Sequence, residues 1–172
     1  MMKRVMRLLI IVVMVMPMLL SGIACTAKPA EGFAIYLTAD DVPVERMPVL
    51  SHVETAAEPL ISEDDIISYS RSTHEITLKP DAGRRLEEMQ FPVDGTSFLV
   101  CVDKGPIYWG AFWPFYSSLS FDGVVIHMPV TSDDYTISIE LGYPCSSFFR
   151  GEDPRDNPLI MRRLEDAAKL IP

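Results

Sequence analysis

Histidine and cysteine are both scarce in this chain, with three of each among 172 residues. No C-x-x-C pair is present, and no histidine stands near enough to a cysteine to suggest a zinc site, so neither a metal nor a cofactor is expected. His52, His74 and His127 are scattered singly, and His127, set in an apolar stretch, reads as a structural residue rather than a base. There is no Gly-x-Ser-x-Gly elbow, no Ser-x-x-Lys pair and no phosphate-cradling glycine loop. Basic residues are also short: 15 Lys+Arg against 24 Asp+Glu give a net charge of −9, which argues against nucleic acid and against docking on anionic headgroups. Repeats and low-complexity tracts are missing. Catalysis is therefore the least favoured reading, and the chain is expected not to be an enzyme.

What is present begins at the N-terminus. Lys3, Arg4 and Arg7 precede an apolar run from Leu8 to Leu20, followed by Ser21-Gly22-Ile23-Ala24 and Cys25. A cationic head, an apolar stretch and small residues make a secretory signal. The cysteine directly after the small residues makes residues 1–24 resemble a bacterial lipoprotein signal, with Cys25 carrying fatty acyl chains of the palmitate type. Two acyl chains on such a cysteine suffice for stable anchoring. A retained anchor is the alternative, although the run is short for a span of about 20 residues. The expected location is the cell membrane, lipid-anchored and facing outside the cytoplasm. Removing residues 1–24 takes away three basic and no acidic residues, which makes the remainder more acidic still. Residues 25–32 then form a tether and 33–172 a single domain of ordinary size. Cys101 and Cys145 form either a disulfide or two separate thiols.

Along the domain, Phe33–Thr38 reads as a first strand and the proline-containing stretch 40–49 as a loop. Ser62 followed by Glu63-Asp64-Asp65 predicts a capped helix through Ile66, Ile67 and Tyr69. The acids there read as a helix start rather than a calcium loop. His74–Lys79 is predicted as a strand, Ala82–Met89 as a helix, and Ser97–Val102 and Ile107–Trp113 as a hairpin. Two further strands, Phe121–Met128 and Tyr135–Leu141, follow, with Asp133-Asp134 in a turn between them. Asn157-Pro158 opens a final helix with an apolar stripe of Leu159, Ile160, Leu164, Ala168 and Ile171. The order predicts an α+β fold, a mainly antiparallel sheet with helices on one face.

The run His74-Glu75-Ile76-Thr77-Leu78, then Asp81-Ala82-Gly83-Arg84-Arg85-Leu86, then Gly95, then Phe98 to Tyr108 through Asp103-Lys104-Gly105, resembles the head subdomain of the first periplasmic domain of SecD/SecDF translocation proteins. The resemblance spans roughly residues 60–172 and is best over 74–113. It implies a strand, a helix, and a two-strand hairpin, and contact with polypeptide. The turn Asp103-Lys104-Gly105 reads as one residue longer than that family's Asp-Gly. The motor's membrane helices and intramembrane ionisable residues are missing, so motor activity is not implied.

The densest aromatic patch is Ile107–Tyr116. Strand alternation places Ile107, Trp109, Ala111 and Trp113 on one side and Tyr108, Gly110 and Phe112 on the other. One side faces the core. The other is either covered as well or forms an open surface, with Tyr108, Trp109, Phe112 and Trp113 as the candidate binding residues and Gly110 as a point of close approach. The expected function is a non-catalytic protein- or peptide-binding module of the cell envelope. The alternative is a small-molecule-binding lipoprotein with a pocket near Trp109 and Trp113.

Overall fold

A computed structural model describes residues 32–130 and 134–172. The leader, Cys25, most of the tether and Asp133 lie outside the described residues. Nine strands form one sheet: β1 (Phe33–Leu37), β2 (Ile61–Ser62), β3 (Ile66–Ser70), β4 (Glu75–Leu78), β5 (Thr96–Val102), β6 (Gly105–Pro114), β7 (Phe121–Met128), β8 (Thr136–Tyr143) and β9 (Leu170–Ile171). Among the described residues two α-helices accompany it, α1 (Pro80–Glu87) and α2 (Pro158–Asp166). The strand order is β2-β1-β5-β6-β7-β8-β4-β3-β9. Six of the eight junctions are antiparallel, the exceptions being β6 with β7 and β3 with β9. The protein is thus a mostly sheet fold with a large mixed sheet. Among the described residues no helix is long and apolar enough to cross a membrane.

The curvature of this sheet follows from chain connectivity. β2 stands at one end of the order and β3 next to the other, yet only Glu63–Asp65 separate them in sequence. Laid flat, seven junctions would span about 34 Å. Four residue steps reach about 14 Å. The sheet therefore rolls up until its ends nearly meet, and every strand from β1 to β8 contributes to one apolar cluster inside it. Ala82 and Leu86 of α1, with Ile160, Met161 and Leu164 of α2, belong to the same cluster.

The seam is tied by the acidic turn. Glu63 accepts hydrogen bonds from both Arg163 Nε and Arg163 Nη2 at 2.8 Å and from the Phe33 amide at 3.0 Å, joining α2, the turn and β1. Asp65 pairs with Arg85 of α1 at 3.0 Å and accepts from the Ser62 amide and hydroxyl. Burial opposes ionisation of Asp65, but the bonds from Ser62 and Arg85 outweigh it and hold the carboxyl below the usual carboxylate range.

This turn corrects the expected helix after Ser62. The serine–acid contact at the helix start is present, but the helix ends after one 3-10 turn. Ile66 and Tyr69 are drawn into the core as strand residues paired with β4. The final helix is corrected too. Asn157 caps it by accepting from the Leu159 amide, and Pro158 is its first residue. Leu159 is 58% exposed and Met161 faces the core instead. Ala168, at φ 56°, ends the helix in a left-handed cap, and Leu170–Ile171 leave it as β9 alongside β3.

The β5–β6 turn is two residues long, because Val102 pairs with Gly105. Asp103 and Lys104 have φ of 50° and 66°, the pair of positive values a tight hairpin turn needs. The expected three-residue turn is therefore corrected. Asp103 also clamps the start of the sheet: its carboxylate accepts from the Gly32 amide at 2.7 Å, and its amide donates to the Gly32 carbonyl at 2.9 Å.

Glu63→Ala should lower the unfolding free energy by about 2 kcal/mol, since it strands a guanidinium and a backbone amide. A shift in the urea midpoint checks this, and an unchanged midpoint would mean that the seam does not depend on Glu63. Gly83→Ala should also destabilise, although alanine favours helix by about 1 kcal/mol. A Cβ at Gly83 would lie 2.1 Å from Tyr135 Cδ1, and such overpacking costs about 1–3 kcal/mol. Thermal melting of the variant reads which effect wins.

Candidate functional site

β6 sets the site. Its alternation directs Trp109, Ala111 and Trp113 to the sheet's second face, away from the main cluster. The expected four-residue patch therefore divides. Tyr108 is 6% exposed and Phe112 is fully buried, and both pack in the main core, leaving little or no side-chain surface for a partner. Ile107 also differs from expectation. Val100 pairs with Tyr108 while Cys101 pairs with Pro106, so Ile107 is the extra residue of a bulge and packs against the main core. Gly110 is a point of close approach, but to its own neighbours: a Cβ there would lie 2.5 Å from Phe98 Cζ and from the Val124 carbonyl oxygen.

The second face is covered over part of its area. Met47, Leu50 and Val53, from the segment between β1 and β2, pack on Ala34, Tyr36, Leu99 and Cys101. Backbone bonds Ala39 N to Glu54 O, Ala56 N to Leu37 O and Leu60 N to Ile35 O hold that segment down, each at 2.9 Å. Next to it, Trp113 stacks on Phe121 with ring centres 5.2 Å apart, and Trp109 meets the same ring at 5.7 Å.

Between these two coverings lies a cleft of about 550 Å³. Half-buried Trp109 lines it, whereas Trp113 borders it but is only 3% exposed, so of the four expected residues Trp109 alone keeps appreciable side-chain surface. Val44 and Met47 form one wall, and Leu119, Ser120 and Phe121 form the other. The second wall has a topological cause. β6 and β7 are parallel neighbours joined by residues 115–120 alone, where such crossovers usually take a dozen residues or more. No helix fits in that length, so the connection turns back across the sheet. Three carboxylates edge the cleft: Glu45, Asp94 and Asp122. A second hollow of about 340 Å³ shares Asp94 and is lined by Asp41 and Ser97 among others. The hydroxyls of Tyr36 and Ser97 and the indole N–H of Trp113 are buried without a partner among the described residues.

The other candidates sit elsewhere. Cys101 is buried and Cys145 exposed, and both are free thiols, so the disulfide alternative is corrected. Burial pushes the Cys101 thiol up to about 11, leaving it protonated and unreactive near neutrality. His52 is exposed. His127 lies 3.4 Å from Glu140 through Nε2 and stacks on Phe115 at 4.8 Å. His74 is buried, with Nδ1 3.1 Å from the Tyr69 hydroxyl. Asp134 accepts from the Thr136 amide at 3.2 Å, as a turn residue does. Sequence reasoning missed the cleft walls, although Val44, Met47, Leu50 and Val53 recur at every third position. The chain matches no family model, no curated protein and no solved structure.

Burial, reinforced by the Arg155 cation, pushes His74 below the ordinary histidine range, with Asp153 and Asp156 opposing. The fold thus favours the neutral ring. Its contribution to stability is complete above the unfolded value of about 6.5 and is lost as pH falls through the lower folded value. The urea midpoint should drop between pH 7.5 and 5.5, and His74→Asn should flatten that drop. Asparagine tolerates the positive φ of 56° at this position. A variant with the parent's slope would remove His74 from the explanation.

Proposed function

We propose that this chain is an extracytoplasmic lipoprotein, acylated at Cys25, whose α+β domain carries both helices on one face of its sheet and binds a protein or peptide without catalysing a reaction. The observation that carries the reading is the cleft beside Trp109 and Trp113. A concave, aromatic-lined space built on a rigid sheet is what a partner's anchor side chain fills, and tryptophan is enriched at such anchors. The order β4-α1-β5-β6, with its two-residue turn, supports the SecD-type resemblance and through it a polypeptide partner. The leader sequence supports the membrane location. A small-molecule ligand is the second reading, favoured by a volume within the range of small-ligand pockets, about 300–1,000 Å³.

The test is site-specific photocross-linking in intact cells. A photoreactive residue at Met47, on the cleft wall, should give a discrete protein adduct that the same group at Leu159, on the exposed side of α2, does not give. Adducts of equal yield at both positions, or none at Met47, count against the cleft as the binding site. Parallel labelling with a fatty-acid analogue should mark the parent and spare Cys25→Ala.

A further inference from the structure

The charge around the cleft identifies what it would take. Its floor is aromatic, and the charged residues on its edge, Glu45, Asp94 and Asp122, are all acidic although they come from three separate parts of the chain. Among the described residues no lysine, arginine or histidine lines it. Glu45 has a neighbour of opposite sign in Arg46, at 3.5 Å on the exposed surface. Asp94 and Asp122 have no hydrogen bond or ion pair from their carboxylates among the described residues. The adjoining hollow repeats the pattern, with Asp41 as a further acid and the unpartnered buried hydroxyl of Ser97. An acidic edge beside the half-buried Trp109 indole attracts a cation through the carboxylates and through the part of the ring face left open.

We propose that the cleft receives a polypeptide segment in which lysine or arginine stands beside an apolar side chain. The apolar group packs against Trp109 and the walls of Val44, Met47 and Leu119. The cationic group lies toward Asp94 and Asp122. Because Asp94 borders both hollows, consecutive anchors of an extended segment reach one acid in common. The chain's net charge of −9 adds long-range attraction for a basic partner and disfavours an acidic one. This inference rests on the cleft being the binding site.

The experiment is calorimetry on the full chain in detergent with three probes: acetyl-Phe-Arg-Phe-Lys-amide, its neutral counterpart with glutamine at both polar positions, and its acidic counterpart with glutamate there. The basic peptide should bind at least tenfold more tightly than the neutral one at low salt, with the advantage shrinking as salt rises. The pair Asp94→Asn and Asp122→Asn should bring it to the neutral peptide's affinity. Ser120→Trp, which fills the cleft, should abolish binding of both, with circular dichroism showing the fold retained. Equal affinities for basic and neutral peptides, both lost in Ser120→Trp, would overturn the charge inference and keep the cleft. Binding unaffected by Ser120→Trp, or no binding by any probe, would overturn both.

Discussion

Three residues joining β2 to β3 constrain this molecule more than any other feature. They link strands that would lie about 34 Å apart in a flat sheet, so the sheet has no choice but to roll. Once rolled, its inner face becomes a single apolar volume, and the two amphipathic helices have one place to bury their stripes. The turn that makes the link is acidic, and its neighbours are the basic residues of those helices, Arg85 and Arg163. Closure and helix docking are thereby one event: the residues that set the distance between the sheet ends also fix the helices against them.

The rolled inner face leaves the outer one to be dealt with separately. The long proline-containing segment between β1 and β2 covers one part of it, and beside that part Phe121 of β7 packs on Trp109 and Trp113. The cleft is the area left between them. Its aromatic floor belongs to β6, while Val44, Met47, Leu119 and Ser120 of its walls belong to connections.

Much of the fold was legible in the sequence. Alternating, β-branched stretches marked β1 and β4 to β8, and Asn157-Pro158 marked the start of α2, because those signals are local. Residues 62–70 were not, since the serine–acid pair is a helix signal and the following Ile66–Tyr69 run suits either period. Closure of the sheet decided between them, and closure depends on partners far away in sequence. The same holds for the site. Trp109 and Trp113 could be picked out from composition, but Asp94 looks like an ordinary turn residue and Asp122 like an ordinary strand residue until the fold brings them to one edge. The three-residue period from Val44 to Val53 was visible, yet the prolines around it favoured reading a loop.

The clamp between Gly32 and Asp103 has a mechanical consequence. Any tension on the residues preceding Gly32 enters the domain along the axis of β1, which has a hydrogen-bonded neighbour on each side. A pull in that direction loads the rungs of both ladders in shear, all at once, rather than peeling them one by one.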